Sequence, residues 1–114
     1  MMNQAVLVGR LTKDLEVTEN ESGTKVSNLT LAVPRNFKNA EGEYETDFIE
    51  ITLWNNIAEN TAEYCRKGDI VGVKGRIQVD AYEKDGEKKY FQRVVAEKVT
   101  FLSSKSKNEP EPEM

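Results

Sequence analysis

Four stretches of this chain carry apolar side chains on alternate residues, and that period of two limits the fold more than any other feature. Leu29, Leu31 and Val33 alternate with smaller or polar neighbours, as do Ile49, Ile51 and Leu53. Val71, Val73, Ile77 and Val79 follow the same rule, and so do Val95, Val99 and Phe101. Successive side chains of a strand point to opposite faces, so each stretch reads as a strand with one buried face. Residues 4–11, Gln-Ala-Val-Leu-Val-Gly-Arg-Leu, read as a further strand, with Gly9 at a bulge or a close backbone approach.

Turn chemistry sets the boundaries. Residues 12–25 are polar and acidic, with a turn at Glu19-Asn20-Glu21-Ser22-Gly23. The second strand spans 26–33, and Pro34 is expected to end its ladder pairing or to sit on an edge. Asn39-Ala40-Glu41-Gly42 marks a hairpin tip that returns into a third strand over 43–54. The fourth strand covers 69–83, bent at Gly72 and Gly75, and the fifth covers 88–102. Between them Asp85-Gly86 is the strongest hairpin signal in the chain. A short helix precedes the fourth strand: Ile57, Thr61 and Cys65 share a face with Ala58 and Ala62. Asn56 is the expected N-cap, with Glu59 as its capping-box partner. Arg66 and Lys67 suit the last turn, and Gly68 the C′ position. Three strands, a helix and two strands (β-β-β-α-β-β) give an all-β fold with one helix, a five-stranded OB-fold barrel. It occupies residues 1–102, and the acidic, proline-containing segment 103–114 is expected to be disordered.

Composition removes most catalytic chemistries. The chain has 114 residues, enough for one real core without a metal or disulfide staple. It contains no histidine and one cysteine, Cys65, so His-dependent nucleophilic arrangements and a typical zinc site are excluded. No glycine-rich phosphate loop occurs. Nothing selects a pair from the many carboxylates, which read as surface charge, and Cys65 reads as a small buried hydrophobe. The expectation is a protein that is not an enzyme and needs no cofactor or metal. A lone cysteine, no run long enough to cross a bilayer and no signal-like N-terminus make the expected location cytoplasmic.

The aromatic residues carry the functional reading. With Ile49, Ile51 and Leu53 inward, Phe48, Glu50, Thr52 and Trp54 must point outward. Phe48 and Trp54 then lie about 20 Å apart along one wet face. In the fourth strand the outward set is Ile70, Gly72, Lys74, Arg76, Gln78, Asp80 and Tyr82, an aromatic sharing a face with two cations. Phe37 stands beside Arg35 and Lys38. Glu41, Glu43, Glu45 and Asp47 fall on the other parity from Phe48. Such a surface suits unpaired bases, whose π-faces stack on any aromatic ring while Lys and Arg meet phosphates. The overall charge gives no help: 16 Lys and Arg against 20 Asp and Glu leave a net charge of −4. Binding a polyanion must therefore rest on local segregation.

Blander readings stand beside these. Phe48 and Trp54 could pack under the helix or against a second subunit, Tyr82 could be a cross-strand packing residue, and Phe37 could anchor its loop. Tyr90 is read as a packing residue, and Phe91 is left unassigned. Lys84, Lys88 and Lys89 fit a solvated hairpin as well as a phosphate contact through Lys84. A protein-interaction scaffold and an RNA-binding barrel are the competing functions.

The sequence resembles the bacterial single-stranded DNA-binding protein family over about residues 3–102. The resemblance rests on Val-Leu-Val-Gly-Arg-Leu-Thr-Lys-Asp at 6–14, Leu-Thr-Leu-Ala-Val at 29–33 and the strand from Phe48 to Trp54. Ile57-Ala58-Glu59, Tyr64-Cys65-Arg66-Lys67-Gly68, Gly75-Arg76-Ile77 and Tyr82 follow in family order. It implies an OB-fold homotetramer that binds single-stranded DNA without sequence preference and protects it during replication, recombination or repair. The family's base-stacking aromatics align with Phe37, Phe48, Trp54 and Tyr82, and Arg10 and Lys67 join Arg35, Lys38, Lys74, Arg76 and Lys84 as phosphate contacts. Asp14-Leu15 stands where members often have Asp-Pro, and Asn55-Asn56 and Asp80-Ala81 stand where relatives often carry bases. The tail ends Glu-Pro-Glu-Met rather than in the family's acidic Pro-Phe tip, which puts tail-mediated recruitment of partner enzymes in question.

Overall fold

The computed structural model describes residues 1–104; the rest of the tail, 105–114, lies outside the described residues. Six strands and one helix follow in chain order: β1 (Ala5–Leu11), β2 (Thr18–Glu19), β3 (Lys25–Lys38), β4 (Tyr44–Trp54), α1 (Asn55–Tyr64), β5 (Ile70–Lys84) and β6 (Glu87–Ser103). The sheet runs β1-β5-β6-β4-β3-β2, and a further pairing of β1 with β3 closes it. Five strands thus form the expected barrel. β2 is a two-residue edge strand on β3, formed inside the polar, acidic segment 12–25 just before its turn. All pairings are antiparallel except β4 with β6, which meet in parallel only at Ile51–Val94 and Thr52–Val95.

The core follows the alternation. Leu29, Leu31, Ile51, Leu53, Val71 and Val73 are buried, and α1 closes one end with Ala58 and Thr61, followed by Cys65. Burying each large aliphatic side chain contributes about 1.5–3 kcal/mol. Burial also raises the Cys65 thiol above its ordinary pKa, which keeps it a neutral packing group. Two glycines mark where strands approach too closely for a side chain. A Cβ on Gly9 would lie 2.6 Å from the Ala32 carbonyl oxygen, and one on Gly75 only 2.2 Å from that of Val95. The Asp85-Gly86 turn has φ of 54° and 80°, the two positive angles of a type I′ hairpin.

Pro34 meets its expectation. β3 runs on to Lys38, but the regular ladder with β4 breaks after the Pro34–Thr46 pair. β1 reaches β3 only as far as Ala32, so Pro34 lies on an edge where a residue without an N–H is tolerated. Four other expectations need correction. Asn56 does not cap α1. Trp54 leads directly into the helix, and Asn55 makes the turn with φ of 53°, a left-handed conformation Asn tolerates. Asn55 Oδ1 accepts a hydrogen bond from the Lys25 backbone N–H, and Glu59 pairs with the Lys25 ammonium instead of a cap. At the other end the helix stops at Tyr64 and Gly68 lies beyond its cap, but Arg66 Nη1 reaches the carbonyls of Ala62, Glu63 and Cys65.

The third and fourth corrections concern β5 and β6. Lys74 pairs with Lys98 but Gly75 with Ala96, so Glu97 is an extra residue in β6. Such a bulge reverses the parity of everything before it. Val94 and Ala96 face the core, whereas Val99 faces it on the other side of the bulge, and Phe101 near the strand's end is exposed. Ile77 and Val79 keep the inward parity of Val71 and Val73, yet both are exposed. β1 pairs with β5 only as far as Gly75. Beyond it β5 and β6 pair with each other alone, as an arm that leaves the barrel. β3 and β4 form a similar arm beyond the contact of β1 with Leu31 and Ala32.

Candidate nucleic-acid interface

The outer surface of β3, β4, β6 and β5 is a curved sheet flanked by the two arms. β4 supplies Phe48 and Trp54, because its inward positions are filled by Ile49, Ile51 and Leu53. Phe48 is 65 % exposed and Trp54 38 %; Phe37 on the first arm is 64 % exposed and Tyr82 on the second 51 %. None of the four rings is sealed in the core. Thr52 departs from the simple alternation: it faces outward but is buried, donating to Asn28 Oδ1 at 2.9 Å and lying beneath Arg93.

The cations fall into three kinds of setting. Arg10 shares a cross-strand row with Ala32 and Phe48, which puts its exposed side chain two strands, about 10 Å, from the ring. Its Nη1 donates to the Gly68 carbonyl at 2.7 Å, and the adjacent exposed Lys67 is fixed through its backbone N–H by Asp14. Lys74, Lys84 and Lys38 are exposed, and the Lys38 ammonium lies 5.7 Å from the centre of the Tyr44 ring. Arg35, by contrast, is held by Asp47 at 2.9 Å and Glu45 at 3.1 Å. The hydrogen bond with Arg35 holds the Asp47 carboxyl below its usual pKa and raises that of the guanidinium. Arg35 thus faces the acids that parity had set apart from Phe48. Segregation of charge is also incomplete on the aromatic side, where Glu50 sits between Phe48 and Thr52 and accepts the Thr30 hydroxyl.

Three residues join the surface that the sequence reading did not choose. Phe91 pairs opposite Asp80 and Arg93 opposite Gln78, both on the outward phase that carries Tyr82. Counting alternation back from Val99 points them inward; only the extra residue at Glu97 turns them out. Tyr44 stands opposite Lys38 near the tip of the first arm. Tyr90, expected to pack, is exposed on the opposite face of the second arm. No group of side chains suited to a metal ion occurs among the described residues. No described helix is long and apolar enough to cross a membrane.

Comparison with known proteins places this surface in context. Single-stranded DNA-binding protein B of Bacillus subtilis is 51 % identical over 106 residues, covering 92 % of this chain and 94 % of its own. A single-stranded DNA-binding protein of Staphylococcus aureus is 44 % identical over 115 residues, covering all of this chain and 74 % of its own. A crystal structure of a deletion mutant of the single-stranded DNA binding protein from Thermus aquaticus superposes with a TM-score of 0.76 at 29 % identity. The match covers 92 % of this chain and 52 % of that one. The model of the single-strand binding protein family matches residues 2–102, and with the closed five-stranded barrel this means that the chain belongs to that family.

Proposed function

We propose that this protein binds single-stranded DNA without sequence preference and shields it during replication, recombination or repair, with no catalytic step. Bases stack on Phe37, Phe48, Trp54 and Tyr82, and phosphates meet Arg10, Lys38, Lys67, Lys74, Arg76 and Lys84. Arg35 joins them only by leaving its two carboxylates. The observation that carries the reading is the exposure of all four rings on a family OB barrel, two of them on the outer face of one strand. Duplex DNA hides its π-faces, so it binds this surface poorly. Residues 1–102 form the binding domain, and 103–114 add nothing to stacking.

The binding form is a homotetramer in the cytoplasm. Support comes from β1, whose outward Val6 and Val8 are 71 % and 52 % exposed beside exposed Leu102, an apolar strip suited to a second copy. Light scattering of the purified chain measures the assembly directly. The function is tested by titrating oligo-dT against Trp54 fluorescence at several salt concentrations. Stacking quenches the indole, and affinity falls with salt at about 0.7 log units per phosphate contacted. An unquenched Trp54 and no binding at low salt defeat the proposal.

A further inference from the structure

A continuous line of side-chain hydrogen bonds crosses the outer face from β5 to β3, between the two groups of rings. Arg76 Nη1 donates to Gln78 Oε1 at 2.9 Å, and Gln78 Nε2 donates to Asp80 Oδ1 at 3.1 Å. The other Asp80 oxygen lies 3.1 Å from Arg93 Nη2. Arg93 Nη1 then donates to Thr52 Oγ1 at 3.3 Å, and Thr52 donates on to Asn28. In the sheet, β6 lies between β4 and β5, so a strand running from Phe48 and Trp54 to Tyr82 crosses β6, the strand that carries Arg93 on its outward phase. The guanidinium at the middle of the platform is already occupied by a carboxylate.

We propose that Asp80 is an internal stand-in for a DNA phosphate: it holds the place on Arg93 that a backbone phosphate takes, and so lowers affinity for single strands. The inference deepens the proposed function and rests on it. A carboxylate and a phosphate present the same kind of oxygen pair to a guanidinium, and either forms charge-assisted hydrogen bonds with it. The existing pair is open to exchange, because the Arg93 side chain is 24 % exposed and that of Asp80 43 %. Arg93 does not need Asp80 to stay in place. Its Nη1 is anchored on buried Thr52, and its Nε is buried with no hydrogen-bond partner among the described residues, so the stem is held by packing. Asp80, on the free arm, can swing toward solvent when a phosphate arrives. While it stays, its charge both screens Arg93 and repels the incoming strand.

The test uses the full chain and oligo-dT, with affinity measured by Trp54 quenching between low and physiological salt. Asp80→Asn keeps the shape and the acceptor for Gln78 but removes the charge. Affinity is expected to rise about threefold to tenfold at low salt, the size of one like-charge contact at about 5 Å in a high-dielectric setting. The salt dependence should steepen by about 0.7, one more phosphate neutralised. The Asp80→Asn, Arg93→Gln double variant should lose both gains. Glu83→Gln serves as the control for general charge, because Glu83 pairs with Lys88 on the opposite face of the arm. An equal gain from Glu83→Gln, an unchanged slope in Asp80→Asn, or weaker binding by that variant overturns the inference, since each means Asp80 only aligns Arg93 or adds to a diffuse field. Failure of the wild-type chain to bind oligo-dT defeats the underlying function instead, and the two failures are read from different arms of the same titration.

Discussion

Replacing Phe48 with alanine isolates the stacking term, because this ring carries no charge and leaves the reporter Trp54 in place. Trp54 is the single tryptophan, so the quenching signal survives the substitution. Loss of one base-stacking partner costs about 1–3 kcal/mol. At about 1.4 kcal/mol per decade this is a fall in affinity of about 5- to 150-fold. The cost in folding is bounded separately. Phe48 is 65 % exposed, so about a third of an area of about 200 Å² is buried, which at 25 cal/mol/Å² is at most about 2 kcal/mol. A thermal melt followed by circular dichroism measures that term, and binding is then read on protein that is still folded. On a plot of log affinity against log salt the variant should give a line parallel to the wild type and displaced downward, because no phosphate contact is lost. An affinity within twofold of wild type, or a drop that appears only as a shallower slope, refutes the stacking argument.

Other perturbations separate the remaining contributions. Arg76→Gln should leave the quench amplitude intact but reduce the salt slope by about 0.7 in the same titration, the signature of one phosphate contact. Leu31→Ala removes a side chain with no exposed surface and should destabilise the fold by about 2–5 kcal/mol in chemical denaturation. The Arg35–Asp47 pair gives a pH signature. Because the hydrogen bond from Arg35 lowers the Asp47 pKa below 3.8, its stabilisation is complete above that value and is lost as pH falls through the folded-state pKa. Wild type and Asp47→Asn should therefore differ in melting temperature at neutral pH and converge in strong acid; a gap independent of pH contradicts the assignment.

The barrel was legible because the alternation is strong where both ends of the argument agree. Ile49, Ile51 and Leu53 fix the phase of β4, and that phase alone put Phe48 and Trp54 in water. Alternation fails where one residue is added or where neighbours run out. Glu97 adds no hydrophobic signal of its own, yet it reverses the faces of Phe91 and Arg93, which is why alternation assigns neither to the outer surface. Ile77 and Val79 continue a perfect inward pattern into a region that β1 no longer covers, and burial depends on the neighbouring strand, which local sequence does not encode. The helix start failed for a similar reason. Asn56 and Glu59 satisfy the capping pattern, but β4 enters α1 without a linker, so Asn55 is spent on the turn and Glu59 on Lys25, a partner thirty-four residues away. The charge reading was right in parity and incomplete in space, because Arg35 shares its parity with the acids opposite it.

An acidic chain that binds a polyanion must separate long-range from contact-range electrostatics. The net charge of −4 repels a distant strand, but at physiological salt that repulsion is largely screened beyond about 8 Å. Within contact range the surface is not a basic groove: Glu50 lies among the rings, and Arg35 and Arg93 both carry carboxylates. The cations without a carboxylate partner among the described ion pairs, such as Lys38, Lys74 and Arg10, lie around the aromatic platform rather than at its centre. Phosphate contacts are therefore expected at the rim of the platform and opposed at its centre, where stacking must carry the binding. Ring–base contact releases no counter-ion, so raising salt weakens the phosphate contacts and leaves the stacking in place. With six cations proposed at phosphates and about 0.7 per contact, log affinity should fall by about 4 per tenfold rise in salt, while the net charge slows approach when salt is low.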